Sequence, residues 1–132
     1  MLKYIVGITC VFVAHVTDAH PLEGSWQFVK GEYYSEGQVF YAEAPDVTSV
    51  KVLSGGHFNY ITQKNGEFHY AAGGRYEITE DAFIEHVDYG NIPSLLGKEL
   101  VFDYEIKEQL WHHTLYQDGE LVEYEVWQRV AQ

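Results

Sequence analysis

His112, the first of two adjacent histidines, and the carboxylate of Glu125 are the residues of this sequence that a tight turn would bring together for acid–base chemistry. Asp118-Gly119 sits between two strand-like stretches, residues 110–117 and 121–130, and predicts a two-residue hairpin loop. Gln117 then pairs with Glu120. Counting back puts His112 opposite Glu125, Leu110 opposite Trp127 and Thr114 opposite Glu123, with His113 facing Tyr124 and Trp111 facing Val126 on the other side. A histidine against a carboxylate can act as a general base with its orienting acid, and the carboxylate raises the histidine pKa. On an outer face the same pair is a cross-strand ion pair worth about a few tenths of a kcal/mol. Nothing else in the sequence completes an active site, so no catalytic residue is assigned.

Metal and cofactor chemistry find little support. His112 and His113 are neighbours on a strand and point to opposite faces, so they cannot share an ion. His57 and His69 fall on opposite faces of their hairpin, and no His-x-His spacing is present. No nucleophile elbow, phosphate loop or dinucleotide fingerprint occurs, so the expectation is no metal and no cofactor. The remaining chemical signal is aromatic: 11 Tyr, 7 Phe and 3 Trp. Packing accounts for many aromatics in a sheet. Some can also line a cavity, where Tyr and Trp join an apolar body to a polar tip.

The elements that must position these groups read as strands. From residue 23 onward, aromatic and β-branched residues alternate with polar ones between regularly spaced turn signals. Strands are expected over residues 25–34, 38–41, 47–53, 57–63, 67–78, 82–89, 98–106, 110–117 and 121–130. Asn65-Gly66 predicts a second two-residue hairpin, which places Phe58 opposite Gly73 and Tyr60 opposite Ala71. Gly73-Gly74 permits a bulge or sharp bend. Residues 90–97 lack strand character, and Ile92, Leu95 and Leu96 between glycines suggest a short helical turn, a connector or a flap over an opening. On β-strand 121–130 the two faces compete: Val122, Tyr124, Val126 and Val130 are the more apolar series, against Glu125, Trp127 and Arg129.

Gly24-Ser25-Trp26 opens the first strand and Trp127-Gln128-Arg129 closes the last. At these residues the chain resembles the lipocalin-like (calycin) small β-barrels. In that family a Gly-x-Trp begins the first strand, and an arginine near the end of the last strand packs on the tryptophan. The family signature falls here on Gly24, Trp26 and Arg129, and implies that Trp26 and Arg129 close the base of the barrel. The ending from Glu125 to Val130 is also similar to small secreted bacterial lipocalin-like domains of uncharacterised function. Glu85, in Phe83-Ile84-Glu85-His86, matches a glutamate often seen at this point in those domains. A haem-binding barrel, known in the wider calycin group, would need a single inward histidine, and that alternative stays open. The expected fold is all-β, an antiparallel up-and-down β-barrel of eight to nine strands. Such a barrel has an interior that side chains fill or that holds one small ligand.

Composition narrows the partners. Residues 1–19 have one lysine, an apolar run over residues 4–16 and a small residue at Ala19, which reads as a signal peptide cut near Ala19. The lone cysteine, Cys10, lies within it, and a lipoprotein anchor there is the alternative. The expected product is a secreted or periplasmic domain of residues 20–132, without thiols and without a membrane span. Lys3 and Asp18 leave together, so the net charge of −12 stays with the domain. That charge repels nucleic acid and anionic membranes, and a nucleic-acid partner is excluded. The leading expectation is a monomer or weak dimer binding a small hydrophobic or amphipathic molecule in the lumen. Phe58, Tyr60, Tyr76 and Trp127 would line the lumen, with Glu85 or Glu125 as polar contacts. A lyase, isomerase or cyclase using a lumenal carboxylate with His or Tyr, and a carbohydrate-binding or interaction module with a filled core, are the alternatives.

Overall fold

The computed structural model describes Val13 and residues 19–131; the leader read over residues 1–19 otherwise lies outside them. The described residues form nine strands and no helix: β1 (Gly24–Ser35), β2 (Gln38–Glu43), β3 (Val47–Ser54), β4 (His57–Lys64), β5 (Glu67–Ile78), β6 (Phe83–Gly90), β7 (Glu99–Lys107), β8 (Leu110–Gln117) and β9 (Glu120–Arg129). From β3 to β9 each strand pairs antiparallel with the next, and β9 returns to β1, so the sheet closes. Closure removes the edges that an open sheet would expose. The first half of β1 (Gly24 to Gln27) pairs with β3, and its second half (Lys30 to Ser35) pairs with β2. β2 and β3 therefore run one after the other along the same side of β1. The result is a closed eight-stranded antiparallel barrel with β2 as an extra strand.

Local turn chemistry builds most of the walls. Asn65-Gly66 and Asp118-Gly119 both have positive φ at both positions (51° and 79° in each case), the backbone of a type I′ turn. They fix Lys64 against Glu67 and Gln117 against Glu120, as expected from the sequence. Two pairs further on, both expected registers fail by one residue. In β4–β5 the register shifts between Thr62 and Gln63, so Phe58 faces Gly74 and Tyr60 faces Ala72 in place of Gly73 and Ala71. In β8–β9 it shifts between Leu115 and Tyr116, so His113, and not His112, faces Glu125. His112 faces Val126, Thr114 faces Tyr124, Trp111 faces Trp127 and Leu110 faces Gln128. The cause is a β-bulge in each hairpin, in which one strand contributes an extra residue, His69 or Val122, and twists more tightly. Such twist helps a sheet curl into a barrel. A third shift lies between Gly73 and Gly74 in β5–β6, where the sequence allowed for one. A Cβ on Gly74 would clash with the His86 carbonyl and stand 2.8 Å from the Asp88 amide, so the bulge requires glycine there.

The β3–β4, β5–β6 and β7–β8 turns gather at one end of the barrel, which is filled by Leu22, Trp26, Phe58, Phe83 and Trp111. The rings of Trp26 and Trp111 meet edge to face at 5.3 Å, and Phe83 approaches Trp111 in the same way at 5.1 Å. Arg129 lays its guanidinium 4.1 Å over the Trp26 ring. Its nitrogens donate to the Glu23 carbonyl at 2.7 Å and to the Pro21 carbonyl. Trp26 Nε1 in turn donates to the Leu22 carbonyl at 2.8 Å. One arginine thus ties the last strand, the first strand and the segment entering β1 into a plug.

Candidate functional site: a two-sided cavity in the barrel

Above this plug the barrel stays hollow. A cavity of about 220 Å³ opens toward the end where the β1–β2, β4–β5 and β8–β9 turns meet the β6–β7 loop. One side is apolar: Leu100, Phe102 and Leu115 from the wall, with Ile92 and Leu95 from that loop. The loop, residues 91–98, runs as turns without a helix. It is tied down by Asn91, whose amide donates to the Ala71 carbonyl while its side-chain oxygen accepts from the Ala71 amide at 2.8 Å. Gly97 N also donates to the Val87 carbonyl at 2.8 Å.

The other side is polar and deeply buried. Lys51 of β3 and Glu85 of β6 are each 2 % exposed and pair at 2.7 Å. Two unpaired charges at this depth would cost several kcal/mol each, so each ion requires the other. The Lys51 ammonium also lies 5.0 Å from the centre of the Trp127 ring, 5.1 Å from Tyr60 and 5.3 Å from Trp111. Aromatic faces thus replace part of its lost hydration.

Beside this pair stands Glu125. His113 Nε2 and its Oε1 are hydrogen-bonded at 2.8 Å, and the Tyr33 hydroxyl donates to its Oε2 at 2.7 Å. Trp127 Nε1 points at Oε1 from 3.4 Å. Burial works against the charged carboxylate, but the bond and charge of His113 and the nearby Lys51 outweigh it and hold Glu125 at about 2. Glu123, two residues away on the same face, moves the other way. Burial, then the negative charge of Glu125, raises its pKa well above the usual value. Burial lowers the pKa of His113, with Glu125 pulling it back in part. His113 Nδ1 has no hydrogen-bond partner among the described residues. Burial and the surrounding carboxylates raise the tyrosines of the cavity, Tyr70 to about 12 and Tyr33 and Tyr60 further.

The two competing faces of β9 resolve in favour of the less apolar one. Glu123, Glu125 and Trp127 line the cavity, while Val126 is buried outside the main core cluster. Of the expected lining, Tyr60, Glu85, Glu125 and Trp127 face the cavity. Two expected residues do not. Phe58 is packed below it, with Tyr60 stacked between at 6.3 Å. Tyr76 lies at the closed end, donating its hydroxyl to Glu23 at 3.1 Å. His112 is on the outer wall, 2.8 Å from the Tyr124 hydroxyl in a hydrogen bond, so the expected His112–Glu125 pair does not form. Sequence reasoning missed Lys51, Tyr33, His113 and Glu123. For Lys51 a signal was present: it shares strand parity with Val47 and Leu53, whose face is inward.

His113, Glu123 and Glu125 offer ligand atoms that all lie within 4.8 Å of one another, a spacing a metal ion could use. The donor chemistry does not fit. The His113 nitrogen nearest the cluster is already engaged by Glu125 and the Trp127 indole, and the Lys51 ammonium adds positive charge to the same wall. A haem does not fit either, because the inward histidine is behind Glu125 and the cavity is smaller than that macrocycle. No described helix is long and apolar enough to cross a membrane.

No curated protein and no solved structure matches this chain. A family model does match, over residues 21–132, which takes in the whole barrel and its arginine plug. The chain belongs to that family, described as a domain of unknown function, DUF4488.

Proposed function

We propose that this chain is a lipocalin-like carrier that binds one small amphipathic molecule in the barrel lumen. The observation that carries this reading is the two-sided cavity, with Leu100, Phe102 and Leu115 facing a wall of Lys51, Glu85, Glu123 and Glu125. A filled core would have been cheaper to build, since buried ions destabilise unless each is matched. The cavity supports lumenal binding over the interaction module with a filled core. At ~30 Å³ per water-sized group, its volume suits about seven non-hydrogen atoms. We propose further that the leader delivers the barrel outside the cytoplasm, which an intact mass beginning at His20 for the protein from its own source would test.

The test of binding is native mass spectrometry of the protein from that source, beside a Leu115→Trp variant that fills the lumen. A co-purifying mass on the wild type, absent from the variant, supports the reading. A mass retained by the filled variant places the ligand elsewhere and ends it.

One observation favours a second reading. Glu123 and Glu125 have pKa values pushed in opposite directions on one strand face, an arrangement that supplies a neighbouring acid and base. An enzyme on this barrel would lose turnover in Glu125→Gln while retaining its fold.

A further inference from the structure

The polar wall also bears on the charge of the ligand. Lys51 and Glu85 cancel one another at 2.7 Å. Glu125 is held by His113, the Tyr33 hydroxyl and the Trp127 indole, with the Glu123 carboxyl beside it. The wall thus sets three carboxyl groups, Glu85, Glu123 and Glu125, against one lysine and one histidine. The carboxyl of Glu123 lies against that of Glu125 and has no lysine or arginine partner among the described residues. Around it stand the rings of Tyr33, Tyr60 and Tyr70. Aromatic faces and a carboxylate together are the surroundings in which a desolvated cation is stable. The barrel already holds its own cations this way, Lys51 among the rings of Trp127 and Tyr60 and Arg129 over Trp26. An anion in the same space would add its charge beside the Glu123 and Glu125 carboxyls inside the barrel.

We propose that the lumen selects a small organic ammonium ion, an amine with a compact apolar body, its charge at Glu123 and Glu125 and its body against Leu100, Phe102 and Leu115. The proposal rests on the lumenal reading above and adds the class of ligand. The net charge of −12 works in the same direction, drawing cations toward the protein and speeding their encounter.

Binding displaces a proton. Glu123 holds one in the free barrel and ionises when an ammonium takes its place. The groups that face this exchange are Tyr33 on β1, Lys51 on β3, Tyr60 on β4, Tyr70 on β5, Glu85 on β6, His113 on β8 and Glu125 on β9. The tyrosines are pushed upward and Glu125 downward, whereas burial and the Glu125 charge keep the proton on Glu123, so Glu123 is the group that gives one up. Amine affinity rises with pH until the amine loses its own proton.

The experiment is calorimetric titration of the full chain with three probes of matched shape: benzylamine, benzyl alcohol and benzoate. Benzylamine is expected to bind at least about tenfold more tightly than benzyl alcohol, with benzoate giving no heat, since an unmatched charge of the wrong sign is strongly disfavoured. Its measured heat should vary with the ionisation heat of the buffer, reporting the released proton. Glu123→Gln should weaken benzylamine at least about fivefold, leave benzyl alcohol unchanged and abolish the buffer dependence. Benzyl alcohol or benzoate binding as tightly as benzylamine overturns the ammonium class while leaving lumenal binding intact. No heat from any probe, or benzylamine binding unchanged in Leu115→Trp, overturns both.

Discussion

His113 Nε2 and Glu125 Oε1 stand 2.8 Å apart across β8 and β9, and the second oxygen of Glu125 accepts the Tyr33 hydroxyl at 2.7 Å. Three strands are thereby pinned to one buried carboxylate. Removing its donors leaves a charge with neither water nor partner. His113→Ala is expected to destabilise the fold by about 3–5 kcal/mol, and Tyr33→Phe by about 1–3 kcal/mol. Urea unfolding of each variant measures this. Equal small losses below about 0.5 kcal/mol would show that water reaches Glu125 and that the pair is not structural.

Lys51 and Glu85 make the same kind of prediction with a sharper control. Lys51→Met strands Glu85 and should cost about 3–5 kcal/mol. Lys51→Met with Glu85→Leu removes both ions and should recover most of that loss, because the desolvation cost leaves with them. A double variant as unstable as the sum of the two single ones would mean that the pair itself stabilises the barrel. The single Glu85→Leu variant, which leaves the Lys51 charge unmatched beside the lumen, should also lose ligand.

Arg129 acts through geometry as well as charge. It stacks on Trp26 while its two terminal nitrogens reach the Glu23 and Pro21 carbonyls. Arg129→Ala should lower stability by about 2–4 kcal/mol, and Arg129→Lys should restore little of it, because an ammonium cannot stack and fork at once. Ligand affinity, measured where both variants are still folded, should stay within about twofold, since the plug lies below the cavity. A tenfold loss of affinity would place the plug in the binding machinery.

Glu123 gives a pH dependence whose sign is fixed. Its pKa is raised in the folded chain, so the folded state holds a proton that the unfolded chain has released above pH 4.5. Stability therefore falls as pH rises from 4.5 through the folded value, by up to about 1.4 kcal/mol per pH unit from this group. Glu123→Gln has no proton to lose. Its stability relative to wild type should increase between pH 5 and pH 8, read from denaturation midpoints at both values. A difference constant with pH would show that Glu123 titrates as if in water. Glu125 has the opposite sign. Held at about 2, it stabilises the fold above pH 4.5 and loses that contribution as pH falls toward 2.

Local chemistry was legible in the sequence. Asn65-Gly66 and Asp118-Gly119 fix their turns through the φ angles that those residues tolerate, and strand alternation depends on neighbours alone. The nine strands follow from these signals within one or two residues at their ends. Gly24, Trp26 and Arg129 named the ends that meet. Most of the site was not legible, because facing is a matter of parity. One extra residue at His69 and one at Val122 shift everything beyond them by one, exchanging His112 for His113 as the partner of Glu125. The need for those bulges arises from closing the sheet, a demand set by all its strands together and absent from any local window. Burial of Lys51 was hidden for a related reason. Strand parity puts it on the face of Val47 and Leu53, but its partner Glu85 is 34 residues away and meets it only across the closed lumen, and without that partner a lysine is not expected to be buried.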